Sequence, residues 1–224
     1  MHLLISKKII IYLLLFCFLV SINNISLTNI SFPKIDKIEI SGLNIDERKK
    51  IKSFINDANF KNIFHLDKQY LKKKINSINN IEQFEIFKNY PSTLKILIKE
   101  TKILARTKKN NLDYLIGSNG KLIQNDYSVS NLPFVFGDLD INEFLNLKSE
   151  IDQSNFNFED ITKLYYFKSK RWDIETYQGY LIRLAKNNVK NDLNLFIRLS
   201  DEDKFKDELI IDFRQKDQII LNDK

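Results

Sequence analysis

The stretch from Lys88 to Glu100 constrains the fold more than any other part of the chain. It consists of a strand end, a turn at Tyr90-Pro91-Ser92, and a second strand in which apolar residues alternate with lysines. Leu94, Ile96 and Ile98 lie on one face and Lys95 and Lys99 on the other, while Leu97 breaks the pattern. Because a period of two is typical of a half-buried strand, we predict two strands, near 83–89 and 93–100, joined by a tight turn.

The N-terminal segment is an apolar run from Ile9 to Val20 that follows Lys7 and Lys8. A secretory signal peptide and an uncleaved membrane anchor both fit a short apolar run behind basic residues. No small-residue cleavage pattern follows the run, which favours the anchor. We therefore expect a cytoplasmic tail at residues 1–8, a transmembrane anchor with its linker at 9–27, and all later residues outside the cytoplasm.

The composition is that of a globular chain, and the sequence contains no catalytic motif. The 224 residues are 43% hydrophobic and include five Gly and three Pro, so we expect a real core and no low-complexity linker. Cys17 is the only cysteine and lies in the apolar run, which excludes a disulfide or a cysteine-based metal site after it. His2 and His65 are the only histidines, and no nucleotide-binding or hydrolase motif occurs. We predict no catalytic residue, no metal site and no cofactor.

The first domain is predicted over residues 32–101. Strand-like residues 37–41 end at Gly42, and Asn44 is a candidate helix cap before Ile51 and Ile55 at helical spacing. A second helix follows around Leu71 and Ile75, with Lys72–Lys74 as its solvated face. With the two later strands, the order is β-α-α-β-β, and the sheet would bury one face against two helices.

The second domain is predicted over residues 102–224. A Gly/Asn turn at residues 117–120 joins two strands, and Asp140 and Glu143 begin a helix. Strands near 161–167, 171–175 and 180–184, a helix near 190–199, and final strands near 208–214 and 218–221 complete the pattern. The fold class is thus α+β, with a mainly antiparallel second domain that ends on a short exposed strand.

Several segments, taken in order, resemble the FtsQ/DivIB family of bacterial cell division proteins. In the first domain they resemble that family's POTRA domain: residues 38–42, 62–67 and 90–100, and Ala105. In the second they resemble its β domain: residues 115–120, 132–133, 171–173, Gly179 with 182–184, and 211–214. Each segment alone is weak evidence for the resemblance, but their order and spacing together are specific. The resemblance covers almost the whole chain.

The resemblance implies a single-pass inner-membrane scaffold of the division septum, with FtsB and FtsL as partners. A partner strand would add to the last strand of the sheet, because an unpaired edge offers backbone donors and acceptors. The expected contact residues are Arg171, Trp172, Gln215, Gln218, Ile219, Ile220 and Leu221. Nucleic acid and small-molecule substrates are not expected.

Alternatives remain open for several of these residues and for the function. Trp172 on a strand is more typical of a core residue than of a partner anchor, residues 219–221 are as consistent with core packing as with an interface, and Arg171 is also consistent with a plain surface charge. Asp212 and Arg214 suggest an ordinary surface pair. A POTRA-containing outer-membrane assembly or secretion factor is the second functional hypothesis, and a membrane-tethered periplasmic enzyme is the third.

Overall fold

The computed structural model describes residues 6–22, 33–58, 60, 62–124, 131–200, 210–215 and 218–222. We number five helices in this part of the chain: α1 Lys7–Ile22, α2 Ile45–Asp57, α3 Lys68–Asn76, α4 Ile141–Asp152 and α5 Val189–Ser200. The first six strands are β1 Lys37–Ser41, β2 Ile81–Asn89, β3 Thr93–Glu100, β4 Ile103–Lys109, β5 Leu112–Gly117 and β6 Leu122–Gln124. The other six are β7 Phe134–Phe136, β8 Ile161–Tyr166, β9 Trp172–Thr176, β10 Leu181–Arg183, β11 Ile210–Asp212 and β12 Ile220–Asn222.

Helix α1 coincides with the predicted membrane anchor. It has 16 residues, and its apolar side chains are exposed all around the helix. Within the residues that the structure describes, no helix is both long and apolar enough to cross a membrane. The predicted linker after α1 lies outside the described residues.

The N-terminal sheet has three strands in the order β1-β3-β2. Strand β3 lies between a parallel neighbour, β1, and an antiparallel neighbour, β2. Its apolar face, Leu94, Ile96 and Ile98, packs with Ile51 and Leu71 of helices α2 and α3. The predicted order β-α-α-β-β and the turn around Pro91 are therefore present, because alternation in the strands and helical spacing in α2 and α3 point toward one shared core.

The C-terminal sheet has nine described strands in the order β12-β11-β10-β9-β8-β7-β4-β5-β6. Most neighbours are antiparallel, but β7 is parallel to both β4 and β8, and β11 is parallel to β10. Strands β4 and β7 were not predicted from the sequence. The predicted domain boundary lies between residues 101 and 102; β3 ends at Glu100 and β4 begins at Ile103.

Helices α4 and α5 supply apolar side chains to the core of the C-terminal sheet. Phe144, Leu147 and Ile151 of α4 and Leu193 and Phe196 of α5 are buried with the inward residues of the strands. As predicted, Asp140 begins α4, since its carboxylate accepts a hydrogen bond from the N–H of Asn142 at 2.9 Å. The α+β fold class is confirmed, and the core leaves the opposite face of the sheet uncovered by described helices.

Candidate partner-binding edge

Strand β12 is the outermost strand of the C-terminal sheet. It pairs antiparallel with β11, in a register that places Ile220 opposite Asp212 and Leu221 opposite Ile211. Within the part of the chain that the structure describes, its other side pairs with no strand. A free edge of this kind presents unpaired N–H and C=O groups to an incoming strand.

The hydrogen bonds of β11 show which backbone groups of β12 face the open edge. The Phe213 N–H donates to the Arg183 C=O at 2.8 Å, so alternate residues of β11 point toward β10. Asp212 therefore points its N–H and C=O toward β12 and pairs with Ile220. By the same alternation, Leu221 and the preceding Ile219 direct their N–H and C=O groups toward the open edge.

The side chains of the last strand divide between surface and core. Ile219 and Ile220 are 37% and 39% exposed, whereas Leu221 is half-buried and packs against the core. Gln215 and Gln218 lie at the turn before β12, where the Gln218 N–H approaches the Gln215 C=O at 3.5 Å. The structure thus brings together five of the predicted contact residues within one turn and strand.

A groove of about 810 Å³ opens beside this turn, between the start of α5 and the chain before β12. Its lining includes Gln215, Gln218 and Ile219, together with Lys186 and Arg214. The sequence motifs did not indicate this groove, because its walls come from segments about 30 residues apart. It adjoins the candidate edge.

Asp192 also lines the groove and is 8% exposed. Its carboxylate accepts one hydrogen bond, from the Ala185 N–H at 3.4 Å. Burial raises the pKa of Asp192 to about 6, and the bond from Ala185 opposes that rise only in part. Sequence analysis missed this residue because an Asp in the first turn of a helix is ordinary and its burial is decided by distant segments.

Trp172 lies on the inner side of the sheet rather than at the edge. It is 4% exposed, and its ring packs 4.7 Å from the ring of Tyr166 and 6.4 Å from that of Phe144, measured between centroids. The ring therefore contributes mainly to the core and presents little surface to a partner. The core-packing alternative describes Trp172 better than the partner-anchor prediction, because β9 is a central strand whose inner face is covered by α4.

Arg171 belongs to a row of alternating charges that crosses three neighbouring strands. The row runs Arg171, Asp173, Arg183, Asp212 and Arg214. Its nitrogen–oxygen distances are 3.6 Å from Arg171 to Asp173, 3.9 Å from Arg183 to Asp173, and 3.7 Å from Arg183 to Asp212. We call these five side chains the charge row. It lies on the face of the sheet opposite the core and leads toward β12.

Arg214 holds Asp212 through direct hydrogen bonds. The Arg214 Nε donates to the two carboxylate oxygens at 2.7 and 2.8 Å, and its Nη2 also bonds one of them. The predicted pairing of Asp212 with Arg214 is confirmed, but Asp212 is only 3% exposed, so its expected position at the surface was wrong. The sequence could not reveal the burial, which results from neighbouring strands on both sides of β11.

The pKa values of the two carboxylates of the charge row shift in opposite directions, although burial acts on both in the same sense. Burial raises the pKa of Asp173, and the charges of Arg171, Arg183 and Arg214 do not offset it. Burial also acts to raise the pKa of Asp212, but the hydrogen bonds and charge of Arg214 outweigh it and hold that pKa below its usual range. The hydrogen bonds from Arg214 therefore account for the lower pKa of Asp212, because both aspartates lie near Arg183 and Arg214.

The described residues contain no group of three or more His, Cys, Asp or Glu side chains arranged to hold a metal ion. The site is instead an open strand edge, a groove and a row of paired charges. Such an arrangement fits protein recognition by backbone pairing, with side chains that set specificity.

Two family models match most of the chain. The model described as the POTRA domain, FtsQ-type, matches residues 34–101, and the model described as cell division protein FtsQ/DivIB, C-terminal, matches residues 105–214. The first match contains the three-stranded sheet, and the second runs from β4 through Arg214, the last member of the charge row.

Curated relatives carry the same family names. The cell division protein FtsQ of Bradyrhizobium diazoefficiens is 28% identical over 71% of this chain and 48% of its own length. The cell division protein DivIB of Clostridium botulinum strain Hall is 31% identical over 64% of this chain and 57% of its own length. DivIB of Bacillus subtilis is 27% identical over 72% and 62%, respectively. The matched region thus spans about half to three fifths of these relatives.

Among solved structures, the major extracytoplasmic domain of DivIB from Geobacillus stearothermophilus, in its trans isomer, is similar to 46% of this chain and 92% of that domain. The TM-score is 0.36 and the sequence identity is 13%. From the two family models and the curated relatives, the chain belongs to the FtsQ/DivIB family of cell division proteins.

Proposed function

We propose that this protein is a non-catalytic scaffold of the division septum that binds FtsB and FtsL by strand addition at β12. The observation that carries the proposal is the side of β12 that no described strand covers, toward which Leu221 and Ile219 direct their backbone groups. Membership in the FtsQ/DivIB family supports the division role. In this proposal, the periplasmic segments of FtsB and FtsL are the partners, and through them septal peptidoglycan synthesis is regulated.

Side chains beside the edge would select the partner. Ile219 and Ile220 offer exposed apolar surface at the position where a cross-strand neighbour would pack. Gln215 and Gln218 line the adjacent groove and supply amide donors and acceptors. Arg171 lies at the far end of the charge row from β12, so it would act on a partner that extends across the outer face of the sheet.

The proposal includes the N-terminal helix α1 as an uncleaved inner-membrane anchor. Its support is the apolar run from Ile9 to Val20 behind Lys7 and Lys8, with side chains exposed on every side of the helix. The lysines would place the N-terminus in the cytoplasm and the two sheets in the periplasm. The septum would then be reached through the partners rather than through the anchor alone.

The test is binding of the purified full chain, in detergent micelles, to the periplasmic segments of FtsB and FtsL from the same genome. Ile219→Pro removes an outward N–H while the ladder bonds of Ile220 to β11 remain, so we expect affinity to fall at least about tenfold. Ile219→Ala keeps the N–H and serves as the matched control. Its affinity should fall less than that of the proline variant.

Two results would contradict the proposal. If the folded wild-type chain does not bind either segment, the partner assignment fails. If wild type, Ile219→Pro and Ile219→Ala all bind equally, the partner is bound elsewhere than at the edge of β12. Circular dichroism of each variant establishes that the fold is intact.

A further inference from the structure

The two sheets of this protein bury separate apolar cores. Within the described residues, no side chain belongs to both the core of the N-terminal sheet and that of the C-terminal sheet. The chain passes from β3 to β4 through Thr101 and Lys102 alone. Units connected in this way usually move relative to each other unless a large apolar interface joins them. Any fixed orientation must therefore come from polar contacts at the junction.

Asn119 makes the most direct of these contacts. It lies in the turn between β5 and β6, and its side-chain amide donates to the C=O of Asn79 at 2.8 Å and to the C=O of Ile81 at 2.9 Å. Its Oδ1 accepts from the N–H of Lys121, within its own turn, at 3.0 Å. Both donors of one amide thus cross to the N-terminal unit, while the acceptor holds the amide in place.

Three further hydrogen bonds cross the same junction. The Asn79 side chain donates to the Leu122 C=O at 2.8 Å, and the Lys121 ammonium donates to the Asn76 C=O, at the end of α3, at 2.6 Å. The Ser118 hydroxyl donates to the Glu82 carboxylate at 2.8 Å. A lysine at the last carbonyl of a helix is also favoured by the helix dipole.

Thr101 connects the crossing bonds to the linker itself. This buried residue donates its hydroxyl to Glu82 at 2.9 Å and accepts the Asn119 N–H at 3.2 Å. The C=O of the linker residue Lys102 accepts the Ser118 N–H at 2.8 Å, and the Lys102 N–H donates to the Ser118 hydroxyl at 3.1 Å. A single carboxylate therefore holds both the linker and the turn, and charge-assisted bonds of this kind are stronger than neutral ones.

Gly117 leaves space for this arrangement. A Cβ at residue 117 would lie 2.7 Å from the Asn119 Oδ1 and 2.9 Å from the Thr101 Oγ1. Because both atoms are already held by hydrogen bonds, any side chain at this position would displace the groups that join the two units.

We propose that Asn79, Glu82, Thr101, Ser118, Asn119 and Lys121 form a junction latch that makes the two sheets move as one rigid body. Loss of the latch would leave both cores intact, since all six groups lie outside them. Its consequence is that the orientation of the N-terminal sheet determines the direction in which the edge strand β12 faces. The inference does not depend on which partner binds that edge.

The test is a distance measurement by double electron–electron resonance on the full chain. Spin labels are attached at Lys73→Cys on α3 and Asn146→Cys on α4, two exposed sites, in a Cys17→Ser background that removes the sole native cysteine. Asn119→Ala deletes two crossing bonds, so we expect the open population to rise about tenfold or more. Gly117→Ala disturbs the same contacts without removing a polar group. Gln83→Ala, an exposed neighbour of Glu82, is the matched control.

The latch predicts one narrow distance distribution for the parent chain and for Gln83→Ala, and a broad one for Asn119→Ala and Gly117→Ala. An equally broad distribution in the parent chain would overturn the proposal, as would narrow distributions in both latch variants. Far-UV circular dichroism and the fluorescence of Trp172, the only tryptophan, show whether each variant retains its fold.

Discussion

The Nε of Arg171 and the Oδ1 of Asp173 lie 3.6 Å apart, and both atoms are buried without a hydrogen-bond partner among the residues that the structure describes. The guanidinium of Arg171 instead packs 4.6 Å from the ring of Phe167. The two groups therefore attract each other as charges but do not satisfy each other as donor and acceptor. Burial of an ion pair under these conditions favours the fold only weakly.

This relationship predicts unequal effects when either charge is removed. Because burial raises the pKa of Asp173 despite three nearby arginines, Asp173→Asn should change the free energy of unfolding at pH 7 by less than about 1 kcal/mol. Arg171→Met leaves a buried carboxylate with one fewer cation and should cost about 1–3 kcal/mol. Urea unfolding followed by Trp172 fluorescence measures both. A larger loss for the asparagine variant than for the methionine variant would contradict this account.

The Arg171 and Asp173 double variant separates the charge effect from packing on Phe167. If the charge matters, Arg171→Met should cost less in the Asp173→Asn background than in the parent chain. Equal costs in both backgrounds would assign the whole effect to the contact with Phe167.

Asp192 should make stability depend on pH. Its pKa of about 6 in the folded protein exceeds the ordinary aspartate value of 3.8, so the folded state binds more protons than the unfolded state between those values. Stability from this group is thus greatest below about pH 4 and falls as pH rises toward 6. Asp192→Asn removes that fall, and its stability relative to wild type should increase by about 1–3 kcal/mol from pH 4 to pH 7.

The measurement for Asp192 is the difference in unfolding free energy between wild type and Asp192→Asn at pH 4, 5, 6 and 7. Comparing the two proteins cancels the titration of the other carboxylates. Lys186 and Arg214 line the same groove, and stabilisation of the ionised form by either would flatten the difference. A difference that stays constant over this pH range would show that Asp192 titrates normally.

Alanine substitutions at two glycines with positive φ separate the cost of backbone strain from the cost of a steric clash. Gly137 has φ +106°, and a Cβ there would lie 2.2 Å from the Tyr166 carbonyl oxygen, whereas Gly179 has φ +94° and no atom within 4 Å of its Cβ position. Gly179→Ala should cost about 1 kcal/mol, from strain alone. Gly137→Ala should cost at least about 2 kcal/mol more, because the adjoining backbone of β8 must move. Equal losses in urea unfolding would contradict the steric argument.

Trp172 and Ile220 should affect different properties of the protein. Trp172→Phe removes buried volume and should cost about 1–3 kcal/mol of stability while leaving the affinity for a strand partner unchanged within about twofold. Ile220→Ala changes an exposed side chain, so it should cost less than about 1 kcal/mol of stability. It should, however, lower the affinity for the strand partner about fivefold. Thermal unfolding by circular dichroism and the binding assay measure the two properties. If Trp172→Phe is folded but binds the partner much more weakly, Trp172 contacts the partner and the core-packing interpretation is wrong.

Local patterns predicted much of the secondary structure. Alternation in Leu94, Ile96 and Ile98 identified β3, and Asn44 was predicted as a cap that the structure confirms, since its side chain accepts the Glu47 N–H at 3.0 Å. These features depend on neighbours within a few residues. Strand β7, by contrast, has only three residues and both of its partners are parallel strands reached by long connections, so no local pattern marked it.

The candidate site was predicted in part. Residues 218–221 were expected to form the last, edge strand, and the structure places β12 at the end of the sheet. The burial of Trp172, the groove around Asp192 and the charge row were not evident. Each of these joins residues from strands or helices that are distant in the chain, and one sequence contains no signal for such register.

The sequence by itself determined most of the segments that form helices and strands, though not β4 and β7, together with the family resemblance and the absence of catalytic motifs, because these follow from local spacing and side-chain chemistry. Only the tertiary structure decided that β12 is the outer strand, that Asp212 is buried between Arg183 and Arg214, and that Asn119 reaches the backbone of Asn79. Strand order and register depend on pairing between distant segments, and the same pairing determines which polar groups lose water and which remain open to a partner.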